Sequence, residues 1–311
     1  MYDVIIIGGG AAATAAAIYA TRRQMKTLMI AKDLGGQIMW ASVIENYPGY
    51  KSITASELIE KFTEQVKELG AEIKLSEVKE IKKMADDNIE VSTAQEKFSA
   101  KTVIVAIGAA HRQLDVPGEK KLAGRGVAYC ANCDGPLFRN KTVAVIGGGN
   151  SALDAAEMLA KIAAKVYLIH QFPVFQAFEH LEKKVREAAN IEIILQNKVE
   201  EIVGEKKVTS IRIRNQADNS SKEIALDGVF VEIGFEVKTE LAAGLVKLNE
   251  KKEIIVNDKG ETSLPGLFAA GDVTAVPYKQ IVIASGQGAI AALGAYEYIQ
   301  LKSGNVQKIT K

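Results

Sequence analysis

The same glycine spacing occurs twice in this chain of 311 residues, as Gly8-x-Gly10-x-x-Ala13 and as Gly147-x-Gly149-x-x-Ala152, 139 residues further on. Each copy follows a short apolar run, YDVIII at 2–7 and TVAVI at 142–146, and opens an alanine-rich helix former. A strand that turns directly into a helix this way leaves little room. The first glycine permits the tight turn, the second removes the Cβ that would block a pyrophosphate, and the small third residue lets helix and strand pack closely. The helix starts at Ala11, Ala12 and Ala13, and at Asn150, Ser151 and Ala152, then offer unpaired N–H groups and a positive dipole end to phosphates. Two such turns predict two nucleotide-binding domains of similar build, each holding one dinucleotide.

The expected fold class is therefore α/β, with two Rossmann-like, three-layer domains. A mass of 33.5 kDa with 48% hydrophobic residues suits about two domains of ~150 residues each. Residues 54–69 read as a helix opened by a Thr54/Glu57 capping box, stopped by Gly70, with Leu58, Ile59, Phe62, Val66 and Leu69 facing the core. Residues 88–107 read as two short strands followed by TVIVAIG, 204–207 as a hairpin turn, and LDVPGE at 114–119 as the linker between the halves. His111 and His180 read as surface residues. Residues 4–21 are uncharged, but Asp3 precedes them and three glycines interrupt them, which argues against a signal peptide or membrane anchor. With 39 Lys plus Arg against 38 Asp plus Glu and no basic run, nucleic acid is not an expected partner. Only two cysteines are present, so no disulfide scaffold is possible and a cytoplasmic location is expected.

Both cysteines lie in YCANCDG, residues 129–135. As metal ligands, Cys130 and Cys133 would need two more, and His111, His170 and His180 lack the paired spacing of a zinc site, so no metal is expected. A structural staple closing so short a loop would restrict the unfolded chain little. A redox pair fits better, because CxxC thiols close to a helix start have lowered pKa values and exchange disulfides readily. Asp134 could handle the thiol proton, or serve as an N-cap or Asx-turn residue before Gly135-Pro136, and the two roles can coexist.

YCANCDGPLF followed by KTVAVIGGGNSALDAAE, together with GGQI at 35–38, ENYPGY at 45–50 and LPGLFAAGDV at 264–273, resembles the low-molecular-weight thioredoxin reductases. VPYKQIVIASGQGA at 276–289 is more similar to the flavoprotein subunit of alkyl hydroperoxide reductase, a member of the same family that typically carries an additional N-terminal thioredoxin-like domain. The resemblance implies an FAD domain at 1–113 and 240–311, and a nicotinamide domain at 114–239 carrying the CxxC. It implies that Gly8, Gly10, Ala11, Ala12, Ala13, Gly35, Gly36, Gln37, Asn46, Gly108, Gly271, Asp272, Lys279, Gln280 and Ile281 contact FAD. Gly147, Gly149, Asn150, Ser151, Ala152, His170, Gln171 and Gln176 would contact NADH or NADPH.

The implied activity is that of a disulfide reductase: electrons pass from the nicotinamide through FAD to Cys130–Cys133, and on to a thioredoxin-like or peroxiredoxin-linked carrier protein. A rotation of one domain about linkers near 114–119 and 235–240 would gate the two half-reactions, and a homodimer is implied. Two other readings remain: the same flavin and disulfide fed by a donor such as ferredoxin, and a non-catalytic flavin-binding module. Some positions depart from the family pattern. No acidic residue stands near Ala31, where Lys32 and Asp33 follow instead; Ala11 and Ala13 replace a usual Pro and Gly, and Ile107 replaces a Thr. NADPH-using members carry His-Arg-Arg-Asp-x-Phe-Arg-Ala where this chain has HQFPVFQA at 170–177, so Gln171, Phe172 and Gln176 stand in place of three arginines. NADH is therefore expected to serve at least as well as NADPH.

Overall fold

The computed structural model describes residues 1–41 and 43–304 and divides the chain into two compact units. One comprises Met1–Met39, Tyr47–Ala110 and the chain from Val237 onward; the other comprises Trp40–Asn46 and His111–Glu236. The last seven residues of the segment expected at 240–311 lie outside the described residues.

The first unit is built on parallel strands in the order Glu72–Leu75, Thr27–Ala31, Tyr2–Ile7, Lys97–Val105 and Leu267–Ala269. Ile5 sits level with Leu28 on one side and Val103 on the other. Strands covered on both faces must be apolar throughout, and Val4, Ile5, Ile6, Leu28, Met29, Ile30, Val103 and Ile104 are all fully buried. The first half of Lys97–Val105 also pairs antiparallel with Ile89–Thr93, so the hairpin strand and the TVIV run form one continuous strand.

The second unit contains an all-parallel sheet in the order Val127–Ala128, Gly228–Val231, Thr142–Ile146, Lys165–Ile169 and Ile191–Ile194. An antiparallel sheet of Asn197–Gly204, Val208–Asn215 and Ser221–Ala225 accompanies it, and its first turn is the expected one at 204–207.

Thr54 caps the helix Ala55–Glu68 by accepting the Glu57 amide at 3.2 Å, and Gly70 ends it with φ of 86°. Leu58, Ile59 and Val66 are buried as the period requires, whereas Leu69, expected in the core, is 36% exposed because the helix has already ended.

Two further expectations need correcting. The chain passes between units at 39/40, 46/47, 110/111 and 236/237, so the division does not fall within LDVPGE. It is tied into the second unit by Glu119, whose fully buried carboxylate accepts the amides of Leu114 and Asp115 at 2.9 and 2.8 Å and the Tyr129 hydroxyl at 3.0 Å. Pro and Gly mark a turn there, but a buried hydrogen-bonded carboxylate fixes it. His111 is not a surface residue: its ring packs against Phe235 and Tyr129 at 4.5 and 5.4 Å between centroids, and burial pushes its pKa down to about 4. His180, by contrast, is exposed as expected.

Two helices of the first unit, Ala11–Arg22 and Ile281–Lys302, approach so closely that a Cβ on Gly288 would overlap the Ala12 carbonyl. Gly288→Ala is expected to destabilise the protein by roughly 1–3 kcal/mol through overpacking. Gly286→Ala, on the exposed side of the same helix where a Cβ meets nothing, should stabilise it by about 0.5–1 kcal/mol. Urea denaturation of the two variants beside the parent protein checks the opposite signs.

Candidate functional site

The two glycine turns are built alike, contact by contact. Gly8 and Gly147 donate to the carbonyls of Ile30 and Ile169, on the neighbouring strands, at 2.9 and 3.0 Å. Their φ values of 133° and 146° suit only glycine, and a Cβ on either would strike a carbonyl, that of Ala106 or of Glu232. The middle glycines are equally crowded: Gly9 lies against the Asp33 carbonyl and Gly148 against the His170 ring. The third glycines differ. Among the described residues, a Cβ on Gly10 or Gly149 would have a single protein atom within 4 Å, the Gly35 or the Gln176 carbonyl oxygen, each at 3.8 Å. Each turn is thus closed by protein on two glycines and open on the third. That opening faces a helix N-terminus without a side-chain cap, and a phosphate fits there.

In the same unit as the first turn, two side-chain oxygens are buried without partners. Gly271 packs on Ala12, which sets the loop 271–273 beside the fingerprint helix. The Oδ1 of Asp272 on that loop is buried with no hydrogen-bond partner, and burial raises its carboxyl to about 6. Gln37 Oε1, in the short helix Gly36–Trp40, is buried and unpaired in the same way. Gly36 and Gly108 border open space, and Gly35 donates to the Gly9 carbonyl at 2.8 Å. Gln280 occupies the N-cap position of the long helix that Ile281 begins.

Lys279 behaves differently from the direct cofactor contact expected of it. Its ammonium donates to Glu253 Oε1 and to the carbonyls of Asp272 and Thr274, at 2.9, 2.9 and 3.2 Å. All three donors are used inside the protein, so Lys279 anchors the loop that presents Asp272.

Cys130 and Cys133 form a disulfide across the one-turn helix Ala131–Asp134, with Cα atoms 5.3 Å apart. Asp134 occupies the N-cap position of the next turn, Gly135–Phe138, yet its side chain caps nothing, and burial raises it to about 6. Of the two roles left open for Asp134, capping is therefore absent and proton handling remains. Asn46 lies with this unit, its Nδ2 4.0 Å from Cys133 Sγ.

The family model of pyridine nucleotide-disulphide oxidoreductases matches residues 2–288. The chain belongs to that family. Membership brings a flavin and a nicotinamide nucleotide as cofactors. This oxidoreductase is 44% identical over 302 residues to the F subunit of alkyl hydroperoxide reductase in Pseudomonas putida, covering 96% of the chain but 58% of that protein. It is 39% identical over 303 residues to a Listeria innocua thioredoxin reductase, covering 96% and 94% of the two. The crystal structure of thioredoxin reductase from Streptococcus pyogenes superposes with a TM-score of 0.91 at 37% identity, covering 97% of this chain and 99% of that one.

In this oxidoreductase the second turn is bordered by residues 170–178. Gln176 donates its amide to the Gly148 carbonyl at 2.8 Å, which holds the segment at the mouth of the turn. His170 is buried beside Phe175, and burial lowers its pKa. Gln171 and Gln176 are exposed, as are Phe172 and Val174. Arg186, with its guanidinium 5.9 Å from the Phe175 ring centroid, is engaged by Glu182 at 2.6 and 2.9 Å. Among the described residues no group of three or more His, Cys, Asp or Glu side chains converges as metal ligands do, and no helix is long and apolar enough to cross a membrane.

Sequence reasoning missed Gly9, Gly148 and Glu232. The two middle glycines carried a signal, since each motif reads Gly-Gly-Gly. Glu232 lies in no motif, and nothing local pointed to it.

Gly10→Val and Gly149→Val are each expected to leave the melting temperature of the nucleotide-free protein within about 2 °C, because the added atoms enter open space, while each lowers the nucleotide retained by its own turn. Gly9→Val and Gly148→Val should lower the melting temperature itself, since a side chain there meets protein. Thermal melts, with nucleotide content after gel filtration, separate the two outcomes.

Proposed function

We propose that this chain is a flavin-dependent disulfide reductase that passes electrons from NADH or NADPH to a thioredoxin-like or peroxiredoxin-linked carrier protein, acting in the cytoplasm as a homodimer. The observation that carries the reading is the Cys130–Cys133 disulfide in the same unit as the second open turn, beside a carboxyl raised toward neutrality. On this reading the first turn takes FAD, whose hydroxyl donors suit the unpaired oxygens of Asp272 and Gln37, and the second takes the nicotinamide nucleotide.

Bound at these turns, the two cofactors supply hydride and electron transfer. The protein's own part is disulfide chemistry. Two electrons and two protons convert Cys130–Cys133 to a dithiol; one thiolate attacks the carrier disulfide, and the other resolves the mixed disulfide, so the carrier leaves as a dithiol and the Cys130–Cys133 bond is restored. Asp134, next in the chain to Cys133 and half-protonated near pH 6, is placed to hold or deliver a thiol proton. Cys130→Ser and Cys133→Ser are each expected to fold and retain flavin but to lose at least about 100-fold in carrier reduction, a loss of roughly 2.7 kcal/mol in transition-state stabilisation. Turnover with a thioredoxin, beside the flavin absorbance of each variant, is the check.

The segment at the second turn offers NADPH no charge advantage. A 2′-phosphate brings about −1.5 to −2 charge, and residues 170–178 oppose it with no Lys or Arg, only exposed Gln171 and Gln176, while Arg186 is paired to Glu182. NADH should be used at least as well as NADPH, and Gln171→Arg with Gln176→Arg should shift the preference toward NADPH. The ratio of kcat/KM for the two nucleotides in one buffer decides it. A tenfold preference for NADPH, about 1.4 kcal/mol, would overturn the assignment, and no activity with either would point to a donor such as ferredoxin.

A further inference from the structure

Glu232 follows the strand Gly228–Val231, and three contacts fix it. Its amide donates to the Ile146 carbonyl at 2.8 Å, its own carbonyl occupies the space a Cβ on Gly147 would need, and its Oε1 accepts the Ala131 amide at 3.3 Å. On the other side of the strand, Val127 pairs with Val229 and Ala128 with Phe230, and the two strands lead on into Cys130 and Glu232. One half-buried acid is therefore joined through its backbone to the second glycine turn, and through its side chain to Ala131, the residue that follows Cys130 inside the disulfide loop.

We propose that Glu232 is a positioning residue for the Cys130–Cys133 couple: its carboxyl holds the Ala131 amide that opens the turn, and its charge state sets the acidity of the thiols formed on reduction. This role rests on the disulfide-reductase reading above. A carboxylate beside a nascent thiolate disfavours it, whereas a neutral carboxyl does not. Burial raises Glu232 to about 7, with the Ala131 amide opposing, so its charge changes in the range where thiols exchange. In the chain segment that its carboxyl touches, Tyr129, Cys130, Cys133 and Asp134 are the titratable residues flanking Ala131. Residues 147–149 contribute none, and His170 rests behind Gly148.

The test is the rate of alkylation of Cys130 and Cys133 by iodoacetamide against pH in the reduced, flavin-containing full chain. Glu232→Gln keeps an oxygen for the Ala131 amide and removes the charge. Its thiol midpoint should fall by about half to one pH unit, and the rate at pH 7 should rise about 2- to 5-fold, part of the gain in thiolate being offset by lower nucleophilicity. A profile that overlays the parent's overturns the proposal. Should Glu232→Gln not fold, Asp134→Asn serves instead: its profile should retain a second ionisation near pH 7, and a single ionisation there overturns the proposal. Failure of the underlying reading is distinct, appearing as an unmodified protein whose thiols alkylate normally but reduce no carrier disulfide.

Discussion

A parallel strand that turns into a helix without room for a side chain is the constraint on which both units depend. At each turn the first two glycines are pressed against neighbouring backbone or a buried ring, and the third is left open. The crowding and the opening have one origin. Strand, turn and helix must come close for the helix N-terminus to reach the end of the sheet, and that approach leaves no room for a Cβ on the first two glycines and a hollow at the third, with space for a phosphate.

Asp272, Asp134 and Glu232 are all carboxyls raised by burial, to about 6, 6 and 7. A carboxyl whose pKa is higher in the folded chain than in the unfolded one favours the neutral form. Its contribution to stability is fully present below the ordinary carboxylate range and is lost as pH rises through 6 to 7. Such groups cost stability at neutral pH. Lys279 and Glu119 show the contrasting case, in which charges with all their partners inside the protein fix loops.

Much of the site was legible because its signals are local. The glycine spacing, the CxxC, the capping residue Thr54 and the hairpin at 204–207 each act through residues a few positions apart, and the structure forms all of them. Long-range packing was not legible. Proline and glycine at 114–119 signalled a turn but not the buried Glu119 that binds it to the second unit, and an isolated histidine at 111 gave no sign of the two aromatic rings that enclose it.

The sequence by itself determined that two glycine turns would each leave an opening at a helix N-terminus and that two thiols would stand one helical turn apart, because backbone sterics and short-range spacing decide both. Only the tertiary structure decided which carboxyl holds the backbone between those thiols and which polar atoms are left without partners. Glu232 reaches the Ala131 amide across 101 residues of chain, through the register of two parallel strands. Strand order and register are properties of the whole sheet, so no local pattern in the sequence encodes that contact.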